Sequence, residues 1–254
     1  MSKPDLAIFD LDNTILNGDS DYSMINYLID INLLDKNAKL KNDEFILDYQ
    51  QGQLDFNQYT NFALKPYIGM TQNKINEVIH PFVEKIIEPM INIFALKPYI
   101  GMTQNEIKEV IHPFVEKIIE PMINIFALKL LHEHYEKGHE ILLASATNEL
   151  IVKPIAKRLE IKNVIATKVE FKNNKCTGEF IPPSALGEGK LQLVKFWMED
   201  KQRNSFSRVT FYSDSINDLP LLEAVEFPIA VNPDQTLDGI ARDRGWKIIT
   251  LPRI

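Results

Sequence analysis

An apolar run, Leu6-Ala7-Ile8-Phe9, breaks into Asp10-Leu11-Asp12-Asn13-Thr14. A short, continuous apolar run bounded by polar residues is the pattern of a strand buried in a parallel sheet. The two carboxylates stand where that strand runs out. In open α/β sheets, ligands bind outside the carboxyl ends of the strands. Two acids at such a place repel unless a proton or a cation lies between them. Asp10 and Asp12 therefore ask for a divalent metal, and they offer a nucleophile beside an acid/base.

Three further segments repeat this logic in order. Glu140-Ile141-Leu142-Leu143-Ala144-Ser145 reads as a strand ending in a hydroxyl. Gly187-Glu188-Gly189-Lys190 places a lysine at a helix start. Val209-Thr210-Phe211-Tyr212-Ser213-Asp214 is a third strand, followed by Ser215-Ile216-Asn217-Asp218, so two more carboxylates fall four apart. Taken together, these segments resemble the four motifs of the haloacid dehalogenase (HAD) superfamily, and most closely its phosphoserine-phosphatase-like subclass. Thr177-Gly178-Glu179, Leu219-Pro220-Leu221-Leu222 and Ala230-Val231-Asn232-Pro233-Asp234 are similar to that subclass too. The resemblance runs from about residue 5 to 250. It implies an α/β fold: a Rossmann-like parallel-sheet core with an inserted all-helical cap.

The pattern along the chain agrees with that fold. Apolar residues at helical spacing mark a helix over 22–34, and further short helices are expected at 45–49 and 56–62. No convincing strand intervenes before 140. After it come a helix near 149–159, a hairpin at 164–181, a helix near 190–200, a strand at 208–213, a helix near 217–224, and short strands near 228–231 and 246–251. Such βα alternation indicates a parallel sheet with helices on both faces. The expected division is a core of 1–17 and 136–254 with a cap of 18–135.

The cap contains a tandem duplication. Phe62–Ile93 recurs as Phe94–Ile125 with two differences, Lys74 against Glu106 and Asn76 against Lys108. Two units are too few for a self-supporting solenoid, so a simple in-frame duplication is the plain reading. Thr103-Gln104-Asn105-Glu106 forms a capping box, whereas Thr71-Gln72-Asn73-Lys74 sets a cation against the helix dipole. The second copy is therefore expected to hold the ordinary cap position, with the first packed outside it or against another subunit. Pro81, Pro89, Pro113 and Pro121 should break or kink these helices. An exposed apolar face on the extra unit would favour a homodimer through the cap.

Charge and cysteine content exclude several classes. The net charge of −7 argues against nucleic-acid and anionic-membrane partners. Cys176 is the only cysteine, so no internal disulfide forms, and a reducing compartment is compatible. No signal sequence is visible, and no run approaches the ~18 apolar residues of a membrane span. A cytoplasmic location is expected. His80, His112, His132, His134 and His139 lack metal-binding spacing and are expected on helix surfaces or ends.

The resemblance assigns roles. Asp10 would be the nucleophile and form an aspartyl-phosphate. Asp12 would protonate the leaving alkoxide and then deprotonate water. Mg2+ would be held by the Asp10 carboxylate, the Asp12 backbone carbonyl and the Asp214 carboxylate. Ser145 would bind a phosphoryl oxygen, Lys190 would neutralise Asp10 and the phosphate, and Asn217 and Asp218 would organise metal waters and the lysine. Asp19 stands where phosphoserine phosphatases carry an acid that meets the substrate amine, and it also reads as a helix N-cap. Those enzymes use a cap arginine for the substrate carboxylate, but here no arginine precedes Arg158. A lysine lacks the planar match to a carboxylate. The substrate expected is a small phosphomonoester other than phosphoserine, such as an amino-alcohol phosphate. The rival readings are a phosphotransferase of the same fold and a non-catalytic phosphate-binding protein disabled by the duplication. Asp12 favours hydrolysis, because it can activate water.

Overall fold

The computed structural model describes residues 3–30, 32–50, 53–71, 74–75, 77–78, 124–173, 175–200 and 206–252. Strand β1 (Leu6–Phe9) leads into helices α1 (Ser20–Asp30), α2 (Ala38–Gln50) and α3 (Phe56–Leu64), and then a 3-10 turn, Lys65–Tyr67. The chain continues through α4 (Ile125–Glu136), β2 (Glu140–Asn148), α5 (Glu149–Arg158), β3 (Asn163–Lys172) and β4 (Lys175–Ile181). It closes with α6 (Glu188–Asp200), β5 (Val209–Ser213), α7 (Leu219–Ala224), β6 (Phe227–Val231), α8 (Gln235–Asp243) and β7 (Lys247–Ile249).

The strands form one sheet in the order β4-β3-β2-β1-β5-β6-β7. Among the described residues only the β3–β4 pair is antiparallel. Strand β1 lies at the centre, with Phe9 paired to Leu143 on one side and Tyr212 on the other. Its four residues are all buried, and they alternate in allegiance. Ala7 and Phe9 join the core beneath α1, α4 and α5, while Leu6 and Ile8 join the core beneath α6, α7 and α8. This is why the run is continuously apolar: each face of the strand is covered by helices. Parallel pairing also brings the carboxyl ends of β1, β2 and β5 to one edge of the sheet. Between β1 and β2 the described elements are all helical. Phe45 contacts Tyr59 and Phe62, which joins α2 to α3.

Several expectations are corrected. The helix placed over 22–34 ends at Asp30, because Asn32 adopts a left-handed φ of 60° and turns the chain. Helix α8 was not foreseen; Asp234 caps it, its carboxylate accepting from Leu237 N at 2.8 Å. His134 stands in the last turn of α4, a helix end as expected, but it is buried, because its face of α4 packs on the sheet together with Leu131. Its Nδ1 lies 2.8 Å from His139 Nδ1, and its Nε2 lies 2.8 Å from Tyr212 Oη. Burial, then the neighbouring His139, pushes its pKa down to about 4.

The start of the first repeat copy also packs inside, not outside. Ala63, Leu64, Tyr67 and Ile75 are in the core. Gly69 N donates to Cys176 O and Cys176 N to Met70 O, each at 2.8 Å. The reason is chain continuity: Asp55 caps α3, and that helix runs straight into the copy. Thr71 caps the next turn through Lys74 N at 3.3 Å. The second copy up to Ile123, its capping box, Pro81, Pro89, Pro113, Pro121, His80 and His112 lie outside the described residues. Cys176 is buried on β4, and burial pushes its thiol pKa up, as suits a packing role. Among the described residues, no helix is long and apolar enough to cross a membrane.

Candidate active site

Lysine 190 sits at the carboxyl edge of the sheet with 1% exposure. Its Nζ donates to Asp10 Oδ1 at 2.9 Å and lies 2.6 Å from Asp218 Oδ1. Two backbone features bring it there. Gly187 takes a φ of 56°, and at Gly189 a Cβ would lie 2.0 Å from Ser184 O, so only glycine lets the first turn of α6 press so close. Burial alone would lower the Lys190 pKa, but Asp10 and Asp218 together hold it above the usual lysine value. Asp218 is fixed in turn by Ser213 Oγ, which donates to it at 2.7 Å.

Asp10 ends β1, and its amide donates to Tyr212 O at 3.0 Å. Burial raises its pKa to about 7 against the pull of Lys190, with Asp218 and Asp12 adding to the rise. After it the chain turns at Asn13, whose left-handed φ of 55° an asparagine accepts readily. That turn brings Asp12 back over the site. Its Oδ1 accepts from Ser20 N at 2.7 Å and its Oδ2 from Thr147 Oγ1 at 2.8 Å. Burial and then Asp19 raise its pKa to about 7, a value suited to giving and taking a proton near neutrality.

The other expected residues fall around this centre. Asp214 follows β5; burial, then Asp10 and Asp218, push its pKa up. Ser145 is fully buried, and its Oγ accepts from Thr147 N at 3.2 Å. Asn217 Nδ2 donates to Ser215 Oγ at 3.2 Å, so its side chain is held within its own loop. Asp19 does two things at once: its Oδ1 caps α1 by accepting from Tyr22 N at 2.7 Å, and its carboxyl lines the pocket. Burial, followed by Asp21, raises its pKa to about 7.

Sequence reasoning missed Asp21, Thr147, Tyr49 and Tyr59. Asp21 is buried, accepts from Asn148 Nδ2 at 3.0 Å and hydrogen-bonds the Tyr59 hydroxyl. Burial and then Asp12 raise its pKa to about 7. One signal was available: Asp19 and Asp21 repeat the two-residue spacing of Asp10 and Asp12, as Ser145 and Thr147 do. Nothing in the sequence marked the tyrosines. A cavity of about 40 Å3 joins Asp10, Asp12, Asp19 and Asp21 to a wall of Phe45, Tyr49, Phe56 and Tyr59.

Among the described residues, six buried aspartates (10, 12, 19, 21, 214 and 218) act on one another here, and one lysine pairs with Asp10 and Asp218. The donors are all oxygens and the negative charge exceeds the positive, which suits a hard divalent cation. Among the same residues, no three acidic, His or Cys side chains converge as a ready metal cage. The Asp12 carboxylate is turned toward Ser20 and Thr147. The residues thus fit a cation held by two carboxylates, Asp10 and Asp214, and a backbone carbonyl, completed by waters.

The haloacid dehalogenase-like hydrolase family matches residues 7–223. The chain is 34% identical over 248 residues to a histidinol-phosphatase of Neisseria meningitidis, covering 96% of this chain and 97% of that protein. Among solved structures, a protein of unknown function from Bordetella pertussis aligns with a TM-score of 0.72 at 29% identity, covering 99% of this chain and 100% of the other. A phosphoserine phosphatase solved as a phospho-aspartyl intermediate analogue shares the fold, with a TM-score of 0.61 at 14% identity over 100% of this chain and 95% of its own. The chain belongs to the haloacid dehalogenase-like hydrolases. Within that family it is a phosphatase.

Proposed function

We propose that the protein hydrolyses the phosphomonoester of a small amine-bearing alcohol, with Mg2+, through an aspartyl-phosphate on Asp10. The observation that carries this reading is the arrangement of Asp10 and Asp12. Asp10 is paired to a buried lysine, while Asp12, two residues on, makes no such pair among the described residues and is held by Ser20 N and Thr147 Oγ1. In the first step an Asp10 oxygen bonds to phosphorus, the bond to the alcohol oxygen breaks, and Asp12 gives that oxygen its proton. In the second, Asp12 takes a proton from water, the water oxygen bonds to phosphorus, and the Asp10–phosphorus bond breaks to release phosphate. Splitting one displacement into two lowers each barrier. Lys190 and Ser145 bear on the phosphoryl oxygens, and Asn217 and Asp218 hold the loop and the lysine. Asp10, the Asp12 carbonyl and Asp214 would hold Mg2+, which supplies positive charge to the phosphoryl group. On this reading the core of 1–17 and 136–254 carries the catalytic groups, and the described part of the 18–135 cap lines the same cavity through Asp19, Asp21, Phe45, Tyr49, Phe56 and Tyr59.

The substrate reading rests on the wall of the pocket. Asp19 and Asp21 give it acidic groups, and Tyr49, Tyr59, Phe45 and Phe56 give it aromatic faces, a combination that favours an organic cation. The similarity to a histidinol-phosphatase supports histidinol phosphate as the first candidate. The test is Mg2+-dependent release of phosphate from an aryl phosphate, followed by a panel of amino-alcohol phosphates with phosphoserine included. Activity should vanish with EDTA and in Asp10→Asn. Retained activity in Asp10→Asn would refute the nucleophile, and a kcat/KM far higher for phosphoserine than for any other ester would refute the substrate class.

A further inference from the structure

One cap hydroxyl reaches the catalytic loop. Tyr49 lies in the last turn of α2, and its Oη donates to Ser215 Oγ at 3.3 Å across 166 residues of sequence. Ser215 Oγ already accepts from Asn217 N and Asn217 Nδ2, each at 3.2 Å. A hydroxyl oxygen offers two lone pairs, so three donors oversubscribe it, and the tyrosine is the longest of them. The phenol also lines the same small cavity as Asp10 and Asp12. Burial, then the negative charges of Asp214, Asp10 and Asp218, hold its pKa well above the usual tyrosine value. A neutral O–H donor therefore reaches from the cap to the cavity that the proposed nucleophile also lines, on a long and replaceable hydrogen bond.

We propose that Tyr49 is the cap's phosphoryl-binding residue: when ester binds, its hydroxyl leaves Ser215 and donates to a phosphoryl oxygen. An anionic oxygen is the stronger acceptor, since charge-assisted hydrogen bonds are roughly twice as strong as neutral ones. The exchange draws α2 down over the site. Phe45, one helical turn back, carries α3 with it through Tyr59 and Phe62. Cap closure thus becomes a response to the phosphate itself, whatever alcohol it is attached to. The inference rests on the phosphatase site proposed above and adds a contact to it.

Tyr49→Phe removes the hydroxyl and keeps the ring. Inorganic phosphate is the probe, read first as a competitive inhibitor of aryl phosphate hydrolysis and second as a shift in melting temperature, which needs no turnover. The variant should raise the inhibition constant of phosphate about tenfold and shrink the phosphate-induced shift, while melting as wild type does without phosphate. A purely structural latch would instead lower the phosphate-free melting temperature and leave the inhibition constant alone; that result overturns the proposal. So does a wild-type protein whose melting is unmoved by phosphate. Asp10→Asn run alongside separates the two readings: an inactive Asp10→Asn with an unchanged Tyr49→Phe refutes this inference and leaves the phosphatase site standing.

Discussion

Replacing Lys190 by methionine is the sharpest probe of the site's energetics. Methionine keeps an unbranched side chain of similar length, so packing changes little, but the buried cation is lost. Lys190 makes contacts of 2.9 Å to Asp10 and 2.6 Å to Asp218, and the side chains of all three groups are less than 10% exposed. Removing one partner of a buried ion pair typically costs about 3–5 kcal/mol, because the remaining charge is stranded. At roughly 2–4 °C per kcal/mol for a chain of this size, the melting temperature should fall by about 10 °C at pH 8. The pH dependence follows from the sign of the carboxyl shifts. Asp10 titrates near 7 in the folded protein, far above its unfolded value, so it contributes stability at low pH that is lost as pH rises through 7. Without the lysine its pKa rises further, and protonation removes the stranded charge. The deficit should therefore shrink by about 1 kcal/mol between pH 8 and pH 5.5, the share that Asp10 protonation removes. The assay is thermal or urea unfolding of both proteins at pH 5.5 and 8 in EDTA. A loss below about 1 kcal/mol at pH 8, or an equal loss at both pH values, would refute the argument.

Two other outcomes are expected. Deleting 62–93 or deleting 94–125 leaves chains that differ only at the Lys74/Glu106 and Asn76/Lys108 positions, and both should fold and hydrolyse phosphate. The chain retaining Glu106 should be the more stable by about 0.5–1 kcal/mol, through its capping box; loss of soluble expression in both would mean that the extra unit is structural. His134→Gln probes the buried ring on α4. The folded pKa is pushed down to about 4, so its contribution is present above the unfolded value of about 6.5 and is lost as pH falls toward 4. Wild type should lose about 1 kcal/mol more than the variant between pH 7 and 5.5, and parallel stability profiles would count against the buried neutral ring.

Strand β1 and its aspartates were legible because burial on two faces leaves a continuous apolar word, and an acid at its end has no packing reason to be there. The lysine, the serine and the second acid pair were legible from their place beside periodic segments, although β2 runs past Ser145 to Asn148 and Lys190 lies inside the first turn of α6. Local signals of this kind depend only on neighbours in sequence. Four things did not. His134 looks like any polar residue of an amphipathic helix until α4 docks and turns that face toward Tyr212. Asp21 joins the pocket only because Asn148 and Tyr59 arrive from distant elements to hold it. Tyr49 reaches Ser215 across the cap–core gap, a contact set by how α2 is carried and not by its composition. The start of the first repeat copy also packs inside, although that copy lacks the capping box. A capping preference is worth about 1 kcal/mol, and both copies carry the same apolar residues at the Leu64, Tyr67 and Ile75 positions, so the continuous run from α3 into the first copy decides which one packs there. Sequence determined which groups stand at the ends of strands, because strand burial writes itself into a continuous run. Tertiary structure decided which side chains meet across the site, because such contacts join residues with no local pattern in common.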